Sequence, residues 1–189
     1  MKTRMTLIAL LMTFFISGIT YAQDTRFGIK GGVNFSTLGG DAESASLRTS
    51  FHAGVLVAIQ SSDKLTIQPE LLYNSQGAKY DNSNTVTTLN YLSLPVMFKL
   101  YPIEGFSIEA GPQVSYLLSS DNDYGLLTVE TESSIRNVDF SVGVGMGYQV
   151  DNVMLGVRYN LGLSDIADDT NDNITFPNRV VQVSLGFLF

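Results

Sequence analysis

Eight stretches of this chain alternate large apolar residues with small or polar ones, and the pattern is sharpest at the end. There Val181, Val183, Leu185, Phe187 and Phe189 fall on one face, with Gln182, Ser184 and Gly186 on the other. A period of two puts successive side chains on opposite faces of a β-strand, whereas a helix repeats its apolar positions every three to four residues. The pattern predicts strands over 25–36, 50–60, 65–76, 85–100, 106–118, 137–150, 153–161 and 180–189. Three connections are short turns, at 61–64, 101–105 and 151–152; four are long and polar, at 37–49, 77–84, 119–136 and 163–179.

Long and short connections alternate, so every short turn lies at one end of the strands and every long loop at the other. This is the asymmetry of membrane barrels. An even strand count brings both termini to the short-turn end. Tilted strands of about ten residues cross a hydrocarbon layer, and closure pairs the edges that lipid leaves unsatisfied. The expected fold is all-β, an eight-stranded antiparallel up-and-down transmembrane β-barrel. A soluble ligand-binding barrel would turn its apolar face inward and a charged face to water. Here the non-apolar face is rich in Gly, Ser, Asn and Gln and poor in charge, which suits the side-chain-filled interior of a small barrel.

Residues 1–22 have the form of a secretory signal peptide. Lys2 and Arg4 precede a nearly unbroken apolar run over 5–16, and Thr20-Tyr21-Ala22 supplies small residues for cleavage after Ala22. The expected domain then spans 23–189. It keeps all 18 acidic residues but, without Lys2 and Arg4, only 9 of the 11 basic ones, a net charge of −9. Nucleic acid is therefore not an expected partner, because phosphate binding needs clustered Lys and Arg. The chain has no cysteine, which removes thiolate metal sites and a cysteine nucleophile.

The charges expected on the interior face are Arg26, Lys30, Glu70, Lys99, Glu109, Asp139 and Arg158. Lys30, Glu70, Glu109 and Arg158 lie within about five residues of the short-turn ends of their strands and can share one layer. Opposite charges there would pair into a plug, since an unpaired buried charge is costly; the alternative is a gated ion path or solute filter. His52, the only histidine, also falls on the interior face. With a serine and an acid it would suit a lipid hydrolase, but nothing near it in sequence marks such a triad.

Asp165, Asp168, Asp169 and Asp172 lack the Gly turn and terminal Glu of a calcium loop and read as solvated. Neither a metal nor a cofactor is expected. Gly143, Gly145 and Gly147 lie within a strand and make room for bulky neighbours inside the barrel. The aromatics Phe27, Tyr73, Tyr91, Tyr101, Phe106, Tyr116, Tyr148, Tyr159, Phe187 and Phe189 mostly fall near strand ends, as interfacial girdles do.

Several motifs resemble a known family. Gly28-Ile29-Lys30-Gly31-Gly32-Val33-Asn34-Phe35, Tyr91-Leu92-Ser93-Leu94-Pro95-Val96-Met97-Phe98-Lys99, Ala110-Gly111-Pro112-Gln113 and Arg158-Tyr159-Asn160-Leu161-Gly162-Leu163 are similar, in order and spacing, to the small outer-membrane β-barrel domain often labelled "porin family" of Gram-negative bacteria. The resemblance covers 23–189 and implies an outer-membrane location, with lipid, lipopolysaccharide and the barrel-assembly machinery as partners. It also implies that Phe189 belongs to the C-terminal insertion signal. The family often has an acidic residue where this chain has Ser93. An eight-stranded barrel encloses too little space for a free aqueous channel. The expected function is therefore non-enzymatic, structural or adhesive through the four long loops. The alternatives are a narrow channel for ions or small solutes and a His52-dependent lipid hydrolase.

Overall fold

The structure, a computed structural model, describes residues 24–38, 45–80, 85–123, 128–130, 137–163 and 178–189. The expected signal peptide and the aspartates at 165–172 lie outside the described residues. Ten strands form: β1 Asp24–Leu38, β2 Ala45–Ser46, β3 Arg48–Ser62, β4 Leu65–Tyr80, β5 Thr85–Leu100, β6 Phe106–Asp123, β7 Thr128–Glu130, β8 Val138–Val150, β9 Val153–Gly162 and β10 Asn178–Leu188.

Eight of them close into a ring of antiparallel pairs in the order β1-β3-β4-β5-β6-β8-β9-β10, with β10 returning to β1. Short β2 and β7 add to β4 and β6 at the long-loop end. The Asp151-Asn152 turn joins the pair Val150 and Val153, with Asp151 in the left-handed region at φ 50°.

The faces sort as the alternation predicts. Val33, Phe51, Leu94, Phe140, Leu155 and Leu185 point outward and are exposed, while Asn34, Gln68, Asn74, Gln113, Ser141 and Gln182 are buried inside. That inverts a water-soluble protein and matches a barrel whose outer band meets hydrocarbon. A small apolar cluster of Leu56, Ala58, Met154 and Leu188 fills the bore near the short turns.

Two expectations need correction. The segment 77–84 is not a loop throughout: Gly77 pairs with Thr88, Ala78 with Thr87 and Tyr80 with Thr85, so β4 and β5 continue as a hairpin arm. Likewise, part of 119–136 is strand, because β6 runs on to Asp123. A bulge marks where the apolar alternation fails. Asn90 pairs with Ser119 but Tyr91 with Leu117, so one extra residue enters β6 and shifts its phase. Beyond it Ser120 is buried, whereas Ser115 and Gln113 are buried before it. The ladder continues there with polar side chains, so hydrophobic period could not reveal it.

The extension makes the barrel lopsided. Pairing of β5 with β6 reaches Val86 and Asp123, while pairing of β6 with β8 stops at Tyr116 and Val138. Seven further residues of β6, at roughly 3.3 Å each, raise this side about 20 Å above β8.

The girdle expectation also needs amending. Phe27, Tyr116, Tyr148, Tyr159, Phe187 and Phe189 face outward, but Tyr91 is buried in the bore. Tyr101 instead lines the short-turn mouth. Position near a strand end does not decide face; parity does, and Tyr91 shares the interior parity of Ser93 and Lys99.

Candidate functional site

The bore holds two stacked polar tiers. The lower, nearer the short turns, is ionic. Arg158 on β9 donates from Nη1 and Nη2 to the two oxygens of Glu70 on β4, at 3.0 and 2.8 Å, and from Nε to Glu109 on β6 at 2.7 Å. Lys30 on β1 approaches both Glu70 oxygens at 3.3 and 3.4 Å. Lys99 lies directly across β5–β6 from Glu109 and reaches its other oxygen at 3.4 Å. The amide of Gln68 donates to Glu70 at 2.7 Å. No side chain of this ion network is more than 9% exposed.

Glycine makes this tier possible. A Cβ on Gly143 would sit 3.2 Å from Arg158 Cδ and 2.6 Å from Asn160 Oδ1. One on Gly145 would sit 3.2 Å from Glu109 Oε1 and 2.5 Å from the Val157 carbonyl oxygen. The 2.5 and 2.6 Å contacts are closer than a Cβ can come and the two at 3.2 Å are tight, so the glycines of β8 leave room for β9 and for the Arg158–Glu109 pair.

The upper tier is built mainly of amides and hydroxyls. Asn34 donates to Asn74 Oδ1 and to the Phe51 and Ser75 carbonyls. Gln182 donates to Asn34 Oδ1 and Asn74 Oδ1, and accepts from Asn160. Asn74 donates to Ser93, which shares a 2.9 Å hydrogen bond with Ser115, its partner across β5–β6. Where the resembling family often has an acid, Ser93 thus joins a neutral chain that ends on Gln113.

His52 sits in this tier. Its Nδ1 lies 2.6 Å from Asn34 Oδ1, an acceptor, so Nδ1 carries the proton and Nε2 accepts from the Ser184 hydroxyl at 3.0 Å. Hydroxyl, imidazole and amide are linked as nucleophile, base and orienting group are linked in hydrolases. Gly32, the partner of both His52 and Ser184, leaves room for the ring: a Cβ there would lie 2.8 Å from His52 Cε1. However, His52, Ser184 and Asn34 are all buried, and the cavity beside Ser184 measures about 20 Å³, room for one water-sized sphere. An acyl chain has no space there.

Two of the seven expected interior charges stand apart. Arg26 is at the short-turn mouth, donating to Asn152 Oδ1 at 2.6 Å. It lines a vestibule of about 400 Å³ with Thr66, Tyr101, Glu104 and Asp151. Burial, and then the nearby Glu109 carboxylate, push the Tyr101 phenol above the ordinary tyrosine range. Asp139 is buried but lies opposite Ser115, level with the upper tier. Among the described residues no group of three or more His, Cys, Asp or Glu could hold a metal ion. Phe189 points outward, its ring 5.3 Å edge-on from Phe187, and its backbone N–H donates to the Phe27 carbonyl.

A family model described as "Outer membrane protein beta-barrel domain" matches residues 21–168. The chain belongs to this family. The match ends before β10, which nevertheless pairs with both β9 and β1 to complete the family's barrel here. No curated protein matches the sequence. Among solved structures, the barrel is similar to Neisserial surface protein A, with a TM-score of 0.60 and 11% identity over 88% of this chain and 100% of that one. It is also similar to Ail, the attachment invasion locus protein of Yersinia pestis, with a TM-score of 0.54 and 12% identity over 88% and 100%. At such identities the likeness is one of fold.

Interior parity placed all seven charges and His52 on the polar face. Distance from the short turns also put Lys30, Glu70, Glu109 and Arg158 in one layer, and ion pairs join them; what the reading missed is that Lys99 belongs to the same layer. The upper tier is the larger omission: Asn34, Asn74, Ser93, Ser115, Asn160 and Gln182 share the parity of the charged residues on their own strands, and that parity was the available signal. Cross-strand register, which joins them, is absent from single-strand patterns.

Proposed function

We propose that this outer-membrane barrel is a non-enzymatic scaffold with a closed bore, presenting a polar binding surface at its long-loop end. The observation that carries this reading is the lower tier, where Arg158 ties β9 to β4 and β6 through two carboxylates across the bore. The raised wall of β4, β5 and β6 supports the second half. It carries Thr87, Thr88 and Asp121, which are polar groups suited to binding outside the hydrocarbon layer. The same reading takes lipid, lipopolysaccharide and, during insertion, the assembly machinery as partners of the apolar outer band, with residues 1–22 directing export. Neisserial surface protein A and the attachment invasion locus protein are named as surface and attachment proteins, which agrees with a binding role.

Planar-bilayer recording of the purified protein tests the closed bore. No current steps above the protein-free baseline are expected. The vestibule, which reaches Thr66 beside Lys99, favours a second reading as a narrow channel for ions or small solutes. Steps that grow in Glu70→Gln would establish it in place of the plug. Unchanged lipid composition on overexpression of wild type and of His52→Ala is the expected result for a protein without hydrolase activity.

A further inference from the structure

The lower tier does not balance its own charge. Lys30, Lys99 and Arg158 bring three positive charges, and Glu70 and Glu109 bring two negative ones. The two carboxylates are already engaged: Glu70 takes Arg158 twice, Lys30 and Gln68, while Glu109 takes Arg158 on one oxygen and Lys99 on the other. Each lysine has three N–H donors and a single carboxylate partner here, and Arg158 has five donors of which three are used. The surplus is therefore of donors as well as of charge.

Among the described residues no nearby acid cancels it. Asp139 lies level with Ser115, six residues along β6 from Glu109, or roughly 20 Å at 3.3 Å per residue. Asp63, Glu104 and Asp151 are exposed at the vestibule mouth, where water screens them. Arg26 adds a further positive charge on that side. A buried charge without a counter-charge is strongly disfavoured.

All three cations line one cavity. It measures about 20 Å³, and its polar lining is Lys30, Gln68, Lys99, Glu109, Arg158 and Ser184. Gly147, Gly156 and Gly186 form the rest of the wall with Met154 and Leu155. The Ser184 hydroxyl is committed to His52, so the spare donors come from the two lysines and the arginine. The volume admits one water-sized body and is too small for sulfate, phosphate or a carboxylate ligand. We infer that this cavity is a binding site for a single monoatomic anion of the halide class, chloride in the cell, which neutralises the ionic tier.

The test is anomalous diffraction from crystals of the detergent-purified protein grown in sodium bromide, paired with thermal unfolding at constant ionic strength. One bromide peak among Lys30, Lys99 and Arg158 is expected. A Tm that rises saturably with chloride or bromide, but not with gluconate or sulfate, is expected beside it. Lys99→Gln removes the surplus charge, so it should lose both the bromide peak and the halide-dependent Tm while remaining heat-modifiable on gels. A wild-type map without a peak in the cavity overturns the inference, as does a Tm equally responsive to gluconate. Bromide retained in the cavity of folded Lys99→Gln overturns its charge-balance basis. The wild-type measurements stand even if that variant does not fold.

Discussion

The two tiers of the bore hang on the same eight strands yet hold together in different ways. The lower tier joins β1, β4, β5, β6 and β9 through five charged side chains, and Arg158 alone carries three of its hydrogen bonds. The upper tier spreads its bonds over short amides and hydroxyls, so no one residue bridges everything. A hub of buried charge is strong while complete and costly when broken, because removing one partner strands the other. A distributed neutral network loses one bond at a time. The side chains of both tiers are buried, so the contrast comes from charge and connectivity.

The largest test of that contrast is Arg158→Met, which leaves Glu109 buried with only the long Lys99 contact and Glu70 with the long Lys30 contact and the Gln68 amide. A loss of about 3–5 kcal/mol is expected, read as a lower urea midpoint of the heat-modifiable form. Replacing the unit whole sharpens the point: Lys30→Met, Glu70→Leu, Lys99→Met, Glu109→Leu and Arg158→Met together should cost less than Arg158→Met alone, since no charge is orphaned. If the fivefold variant is the weaker one, the hub description fails.

Gly143→Val should follow at about 1–3 kcal/mol, the usual cost of overpacking, because its side chain enters the space of Arg158 and Asn160. It strikes both tiers at once and should shift the urea midpoint without abolishing assembly. Asn34→Ala removes the most connected member of the upper tier and should also cost about 1–3 kcal/mol, through partners left unsatisfied. Ser93→Ala should cost less, about 1 kcal/mol, as one hydroxyl in a chain. Last comes a coupling measurement. Ser93→Ala and Lys99→Met lie six residues apart on β5 and in different tiers, so their effects should add within about 0.5 kcal/mol. A larger coupling energy would mean that the tiers act as one network.

Much of this architecture was legible without coordinates. Leu94 and Ser93 are neighbours with opposite fates, one exposed to the hydrocarbon band and the other buried, and a period of two suffices to separate them. The same rule put Lys30, Glu70, Lys99, Glu109 and Arg158 inside, and it identified Gly143 and Gly145 as space-makers. It failed at Leu118, where one bulged residue shifts the phase, and at Gly77–Tyr80, where strand pairing continues without an apolar face. Tyr91 was misassigned because aromatic character was weighed above parity.

The sequence by itself determined the strands, their two faces and the alternation of long and short connections, because each is a local pattern along one strand or across one turn. Only the tertiary structure decided the pairing inside that layer, where Arg158 takes both oxygens of Glu70, 88 residues away, and one of Glu109. It also decided that His52 meets Ser184 across a 132-residue separation. Those meetings depend on the stagger between strands and on closure of β10 against β1. Stagger is a relation between strands, set by packing of the whole ring, and no single strand's residues encode it.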